Sequence, residues 1–299
     1  MTAAVPESLG SVGDYTLLEL LEPSGPGELF RARDTRHGRT VVLRRLPAGE
    51  PADAASRAAF VAAHRALTAF THPNVTTVFD AGEFDGRLYV VSEFVKGRSL
   101  AAELGGRPLP PRRAVELTVQ IADAIAEVHA AGFEPAGLSP ESILVTEKGH
   151  ARIPLAALGA RFGFDEGAPG RLRSVNVPEL RAGQEPTEES DVYTVGSLLF
   201  EMLAAHPVDA NGQAPSAFNA LVPKELDAAT LRATAQQPDY RYQSLVTMAA
   251  ELRSIAAILD VREVAADEVA SAAAPSVAGL VAVGAGVLIA VLVLWWWLG

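Results

Sequence analysis

The sequence predicts an α+β fold of two lobes, a β-rich first third followed by a helical remainder. Three observations carry that prediction. Short β-prone runs alternate with Gly and Pro turns over Tyr15 to Leu46. After Gly97 the apolar residues shift to a 3.6-residue spacing. At 49% hydrophobic and 20% charged residues, the 299-residue chain can bury a large core.

The runs Tyr15 to Leu18, Glu28 to Ala32 and Thr40 to Leu43 read as a β-meander. Ala54 to Phe70 is alanine-rich without breakers and predicts a helix. Two further strands are expected over Val75 to Phe79 and Leu88 to Phe94, joined through Asp85-Gly86. In Pro111 to Ala131 the set Leu117, Ile121, Ile125 and Val128 keeps one helical face. Ser190 to Leu203 repeats that pattern with Val195, Leu198, Leu199 and Met202. Residues 1–14 read as a tail, 15–95 as the first lobe, 96–259 as the second, and 260–276 as an acidic, alanine-rich linker.

Charge and composition exclude several classes of function. The net charge is -11, from 25 basic and 36 acidic residues, and it is spread along the chain. A nucleic-acid binder needs a basic face, so no nucleic-acid partner is expected. The absence of cysteine excludes disulfides, thiol nucleophiles and cysteine-based zinc sites. The six histidines show no metal-ligand spacing. From Val269 to Gly299 no residue is charged, and 277–298 is almost wholly apolar, closing on Trp295-Trp296-Trp297. Roughly 20 apolar residues span a bilayer and tryptophan favours its interface, so one transmembrane helix is expected over 277–298. Ala278, Ala282, Gly286 and Ala290 place a small residue at every fourth position, the kind of stripe that admits a helix dimer. No export signal is visible at the N-terminus, so the remaining domain is expected on the cytoplasmic face of the cell membrane.

Seven motifs in order resemble the bacterial Ser/Thr protein kinase family over about Tyr15 to Leu259. Gly27 to Asp34 is similar to the end of the glycine-rich loop and its following strand. His72-Pro73-Asn74-Val75 resembles the turn after the regulatory helix, and Leu88 to Val95 the strand entering the hinge. Leu138 to Val145 resembles the catalytic loop, and Val177-Pro178-Glu179 the end of the activation segment. Ser190 to Gly196 and Pro238 to Tyr242 resemble the large helix and the late arginine motif. The resemblance implies a two-lobed protein-kinase-like fold with a nucleotide cleft at Gly27, Arg44, Glu93 and Val95.

At the chemical positions the sequence departs from the family's pattern. Counting back from Gly27, the first two loop glycines fall at Glu22 and Ser24. Arg44 replaces the phosphate lysine, and Ala63 the glutamate that pairs with it. Pro135-Ala136-Gly137 replaces the His-Arg-Asp triplet, so Gly137 stands where the catalytic carboxylate belongs. Ser139 replaces the loop lysine, and Ser142 the metal-holding asparagine. Leu155 falls at the metal-binding aspartate, and Asp165 and Glu166 lie further on.

By contrast, the resemblance gives Glu179 and Arg241 a bracing ion pair, and makes Asp191 a helix cap that holds the catalytic loop. The lower members of the family's hydrophobic column fall at Pro135 and Ala156 and the upper ones at Leu67 and Val78, which implies a fixed conformation. The expectation is therefore a pseudokinase and not an enzyme, a membrane-held signalling scaffold. It would have no catalytic residues, no cofactor, no magnesium site, and a protein partner that is an active kinase or its substrate. Nucleotide binding without turnover stays open, and the alternative is a weak or atypical Ser/Thr kinase or other phosphotransferase.

Overall fold

A computed structural model describes residues 8–21, 27–133, 138–154, 177–208 and 212–273, the last twelve as backbone only. Residues 1–254 form one compact unit and 255–299 another.

Six antiparallel strands build the first lobe, ordered β1-β2-β3-β4-β6-β5. They are β1 (Ser11–Val12), β2 (Tyr15–Leu21), β3 (Glu28–Asp34), β4 (Arg39–Arg45), β5 (Val78–Phe84) and β6 (Arg87–Glu93). The expected meander is present, and residues 11–12 of the expected tail join it by pairing with β2. The period-2 alternation sends Leu17, Phe30, Ala32, Val41, Leu43 and Val91 into one core layer. Asp85 and Gly86 turn the β5–β6 hairpin with φ of 47° and 69°, a left-handed pair suited to a two-residue hairpin.

The strand expected over Val75 to Phe79 begins three residues later. Val75 forms a lone parallel bridge to Ile153 instead, because the backbone of its neighbours Asn74 and Thr76 is bonded to Ile153 in the second lobe. α1 (Ala54–Ala66) runs into a short 3₁₀ turn over Leu67–Ala69, and Asp53 caps it by accepting from the Ser56 amide at 2.8 Å.

The second lobe begins with a three-stranded sheet, β7 (Gly97–Ser99), β8 (Leu144–Thr146) and β9 (Ala151–Arg152). Around it lie α2 (Leu100–Leu104), α3 (Pro111–Ala130), α4 (Pro178–Arg181), α5 (Glu188–Ala204), α6 (Lys224–Ala233) and α7 (Leu245–Ala273). Pro111 starts α3 at a position where its missing amide hydrogen costs nothing. Leu117, Ile121, Ile125 and Val128 are fully buried, as are Val195, Leu199 and Met202 of α5. α5 and α6 approach so closely at Gly196 that a Cβ there would stand 2.5 Å from the Ala233 Cβ.

Residues 260–273, read from sequence as linker, continue α7 as helix. Alanine, the commonest residue of that stretch, is the best helix former. Among the described residues no helix is long and apolar enough to cross a membrane, and 277–298 lies outside them.

Candidate functional site

The candidate site lies between the two sheets. Arg44 sits on β4 opposite Leu29 and Val90, on the sheet face away from Val41 and Leu43. It is half-buried, and desolvation pulls its guanidinium below the ordinary arginine range. Gly27 precedes β3 with φ of 85°, and a Cβ there would lie 2.3 Å from the Arg45 carbonyl oxygen. The close approach of β3 to β4 therefore requires glycine at this position whatever else the residue does. Next to it, Glu28 accepts from Arg45 at 3.0 Å and from Arg87 at 2.7 Å, locking β3 to β4 and β6. Burial pushes the Glu28 carboxyl up, and the hydrogen bonds and charge of Arg45 and Arg87 outweigh that and hold it low.

β6 delivers Glu93 to its end, and Val95 follows two residues on, half-buried. The Glu93 carboxylate accepts from Arg152 of β9 and from the Thr77 amide at 3.3 Å. Neither partner was foreseen from sequence, since Arg152 belongs to no motif. Ala63 lies half-buried on α1 beside His64, which is 2% exposed and stacks on Phe60 at 4.0 Å.

Residues 138–143 form a tight turn. The Ser142 hydroxyl donates to the Ser139 carbonyl at 2.9 Å and accepts from the Ser139 amide at 3.0 Å. That hydroxyl is buried and spent on the loop's own backbone, so it is poorly placed to serve as a metal ligand. The Ser139 hydroxyl is also buried and finds no hydrogen-bond partner among the described residues. No group of three or more acidic or histidine side chains suited to a metal occurs among the described residues. Gly137, Leu155, Glu22, Ser24, Asp165 and Glu166 lie outside them, as do Pro135 and Ala156. Leu67 and Val78 are both buried.

Beneath the site, Arg241 clasps Glu179 with Nη1 at 2.6 Å and Nη2 at 2.8 Å, and both side chains are almost wholly buried. Burial pushes the Glu179 carboxyl up, and the hydrogen bonds from Arg241 and Ser190 outweigh it and hold the group low. Ser190 donates to Glu179 at 2.7 Å and accepts from the Thr187 amide at 3.2 Å. Thr187, not Asp191, is the cap of α5. Asp191 lies in the first turn, where a carboxylate suits the helix dipole, and pairs with His129 at 3.1 Å.

The family model described as "Protein kinase domain" matches residues 24–256. A probable serine/threonine-protein kinase of Streptomyces coelicolor is 31% identical over 275 residues, covering 83% of this chain and 40% of its own length. Serine/threonine-protein kinase PknD of Mycobacterium tuberculosis is 31% identical over 265 residues, and PrkC of Bacillus subtilis 27% over 262, covering 82% and 81% of this chain and 40% of each relative. The chain thus spans about 40% of the length of these curated relatives. The crystal structure of the M. tuberculosis PknI kinase domain, as a double mutant, superposes with a TM-score of 0.67 at 24% identity, over 86% of this chain and all of that one. The two-lobed protein-kinase fold, β-rich first and helical after, is thereby shown.

These relatives correct one expectation. A domain that is not an enzyme was expected from Gly137, Ser142, Leu155 and Ala63. Relatives at 27–31% identity carry the names of Ser/Thr protein kinases, which points to a kinase enzyme instead. Two of those four positions, Ala63 and Leu155, were reached by counting residues from a motif, and Leu155, like Gly137, falls outside the described residues. Loops tolerate insertions, so such counting fixes a register less firmly than a strand or helix does.

Proposed function

This chain belongs to the protein kinase family, and from that premise we propose that it is an atypical ATP-dependent Ser/Thr protein kinase. The observation that carries the reading is that 31% identity to named Ser/Thr protein kinases runs through 82–83% of the chain, across both lobes. In this reading the Arg44 guanidinium compensates phosphate charge from β4, and the backbone following β6 at Glu93 to Val95 receives the base. A guanidinium is bulkier than an ammonium and binds phosphate in a planar fork, which makes the site unlike that of a lysine enzyme. The Glu179–Arg241 pair holds the helical lobe on which a protein substrate would rest.

Kinases use divalent metal on the nucleotide phosphates, and the donor set here fits that poorly. The Ser142 hydroxyl is committed to Ser139, and the described residues offer no carboxylate cluster. No step is therefore assigned to a metal. Transfer is expected to be slow, because oriented charge compensation supplies most of the catalysis in this chemistry.

The test is incubation of the full chain with γ-labelled ATP and a Ser/Thr-rich protein, with magnesium or manganese, followed by phosphoamino-acid analysis. Label on serine or threonine that disappears in Arg44→Ala supports the reading. No transfer with either ion sinks it. The uncharged stretch 277–298 favours a membrane-held form of this kinase. Alkaline extraction of membranes should leave the chain in the pellet, and release into the supernatant would refute that part.

A further inference from the structure

β6 and β9 belong to different sheets and different lobes. The chain passes between the lobes through residues 94–96, which carry no strand or helix. A connection that short and that plain is the kind of segment that absorbs backbone rotation when lobes move. Glu93 stands immediately before it, and Arg152 ends β9 on the far side.

Several hydrogen bonds converge on these two side chains. Arg152 donates Nη2 to Glu93 and Nη1 to the Pro73 carbonyl at 2.6 Å. The same Glu93 oxygen accepts the Thr77 amide at 3.3 Å, while the Glu93 amide donates to the Thr77 carbonyl at 2.9 Å. Around them the backbone is laced together. The Ile153 amide donates to Asn74 and the Thr76 amide to Ile153, both at 2.8 Å. The Asn74 side chain bridges to Gln120 at 3.0 Å and to the Ala151 carbonyl at 2.9 Å.

We infer that Arg152 and Glu93 form an interlobe strut that holds the end of β6 against β9 and restricts lobe motion. The main-chain bonds secure the 72–76 turn to β9 and the Glu93 amide to Thr77, but none of those bonds joins β6 to β9 directly. The Glu93 carboxylate closes that gap, because it binds Thr77 on the turn and Arg152 on β9 at once. Side-chain exposures of 33% and 17% shelter the pair from the full screening of surface charges. Lobe opening that parts β6 from β9 must break a charge-assisted hydrogen bond, the stronger kind. The consequence reaches the site, since β6 leads into Val95. The strut therefore acts as a positioning device, setting how far the backbone that follows β6 stands from β9. It requires no turnover, so it stands or falls apart from the kinase reading.

The chain has no cysteine, so two introduced ones label cleanly. Arg33→Cys on β3 and Asp239→Cys in the second lobe, both exposed, would carry nitroxides in the full chain. Double electron–electron resonance should give one narrow interlobe distance. Glu93→Gln, which keeps an acceptor for Thr77, and Arg152→Gln should each lose that single narrow distance while circular dichroism stays unchanged. The double variant should be no broader than either single one, because both remove the same contact. A distribution that stays narrow in either single variant, or broadening that adds in the double one, would overturn the strut.

Discussion

Arg241 reaches across the helical lobe to Glu179 with both terminal nitrogens, and its Nε and Nη1 also donate to the carbonyls of Ala235 at 2.8 Å and Glu189 at 2.8 Å. The guanidinium thus ties α4 to the start of α5 and to the chain entering the 3₁₀ turn at Pro238. Glu179 can be ionised in this buried place only because Arg241 and Ser190 both donate to it.

Removing one member leaves the other buried and uncompensated. Arg241→Ala and Glu179→Ala are each expected to cost about 3–5 kcal/mol of stability. Chemical denaturation should show the midpoint falling with little change in slope. A loss under about 1 kcal/mol in both would mean the pair is far better hydrated than its burial implies.

The same pair makes stability depend on acid. The folded Glu179 carboxyl is held below its unfolded value, so its contribution is complete above the unfolded range near pH 4.3. It is lost as pH falls through the depressed folded value. Glu28 acts in the same direction. Melting temperature measured from pH 6 down to pH 3 should drop, and Glu179→Gln should flatten part of that drop.

His64 adds a second window at milder pH. Burial lowers its pKa, and its Nδ1 lies 2.9 Å from the Phe60 carbonyl oxygen. The unfolded chain takes up the proton first, so stability falls as pH drops below about 6.5. His64→Phe should remove the slope between about pH 6.5 and 5 in thermal melts. An unchanged slope would show that the proton is taken up elsewhere.

The α5–α6 contact at Gly196 allows a sharp test of packing. Gly196→Ala places a methyl group against Ala233 and the Thr234 side chain, and overpacking of this kind costs about 1–3 kcal/mol. Ala233→Gly in the same chain should recover part of the loss. If the double variant is as unstable as Gly196→Ala alone, the crowding lies elsewhere.

For the site itself, Arg44→Ala is expected to lower phosphate transfer by about 100-fold, the scale of losing one electrostatic stabiliser. Arg44→Lys should retain most of it, since an ammonium on the same stem still meets the phosphates. Initial rates at saturating and limiting ATP would separate a binding loss from a chemical one.

Strand and helix periodicity made most of the fold legible. The α3 face at Leu117, Ile121, Ile125 and Val128 was readable because one stripe of a long helix is buried and nothing else competes. Val75 reads as strand because it opens the β-prone run Val75-Thr76-Thr77-Val78-Phe79, while its actual partner, Ile153, lies 78 positions away in sequence. The helical end of α7 was taken for linker because acidic, alanine-rich sequence serves both roles. Glu179 and Arg241 were found through family motifs, whereas Arg152 and His129 carried no sequence signal at all. Their partners are set by how strands from separate lobes meet, which spacing along the chain does not reveal. What the relatives overturn is the expectation of a domain that is not an enzyme; of the positions behind it, Gly137 and Leu155 lie outside the described residues.

The strand order of the first lobe bears on how copies of this protein behave at high concentration. One border of the sheet is β1, only two residues long, and the other is β5, whose pairing with β6 is irregular between Val78 and Asp80 and which packs beside α1. A long, flat, bare row of amides and carbonyls is what recruits a neighbouring chain into a shared sheet. Among the described residues neither border strand presents one, so topology helps guard the lobe against edge-to-edge aggregation.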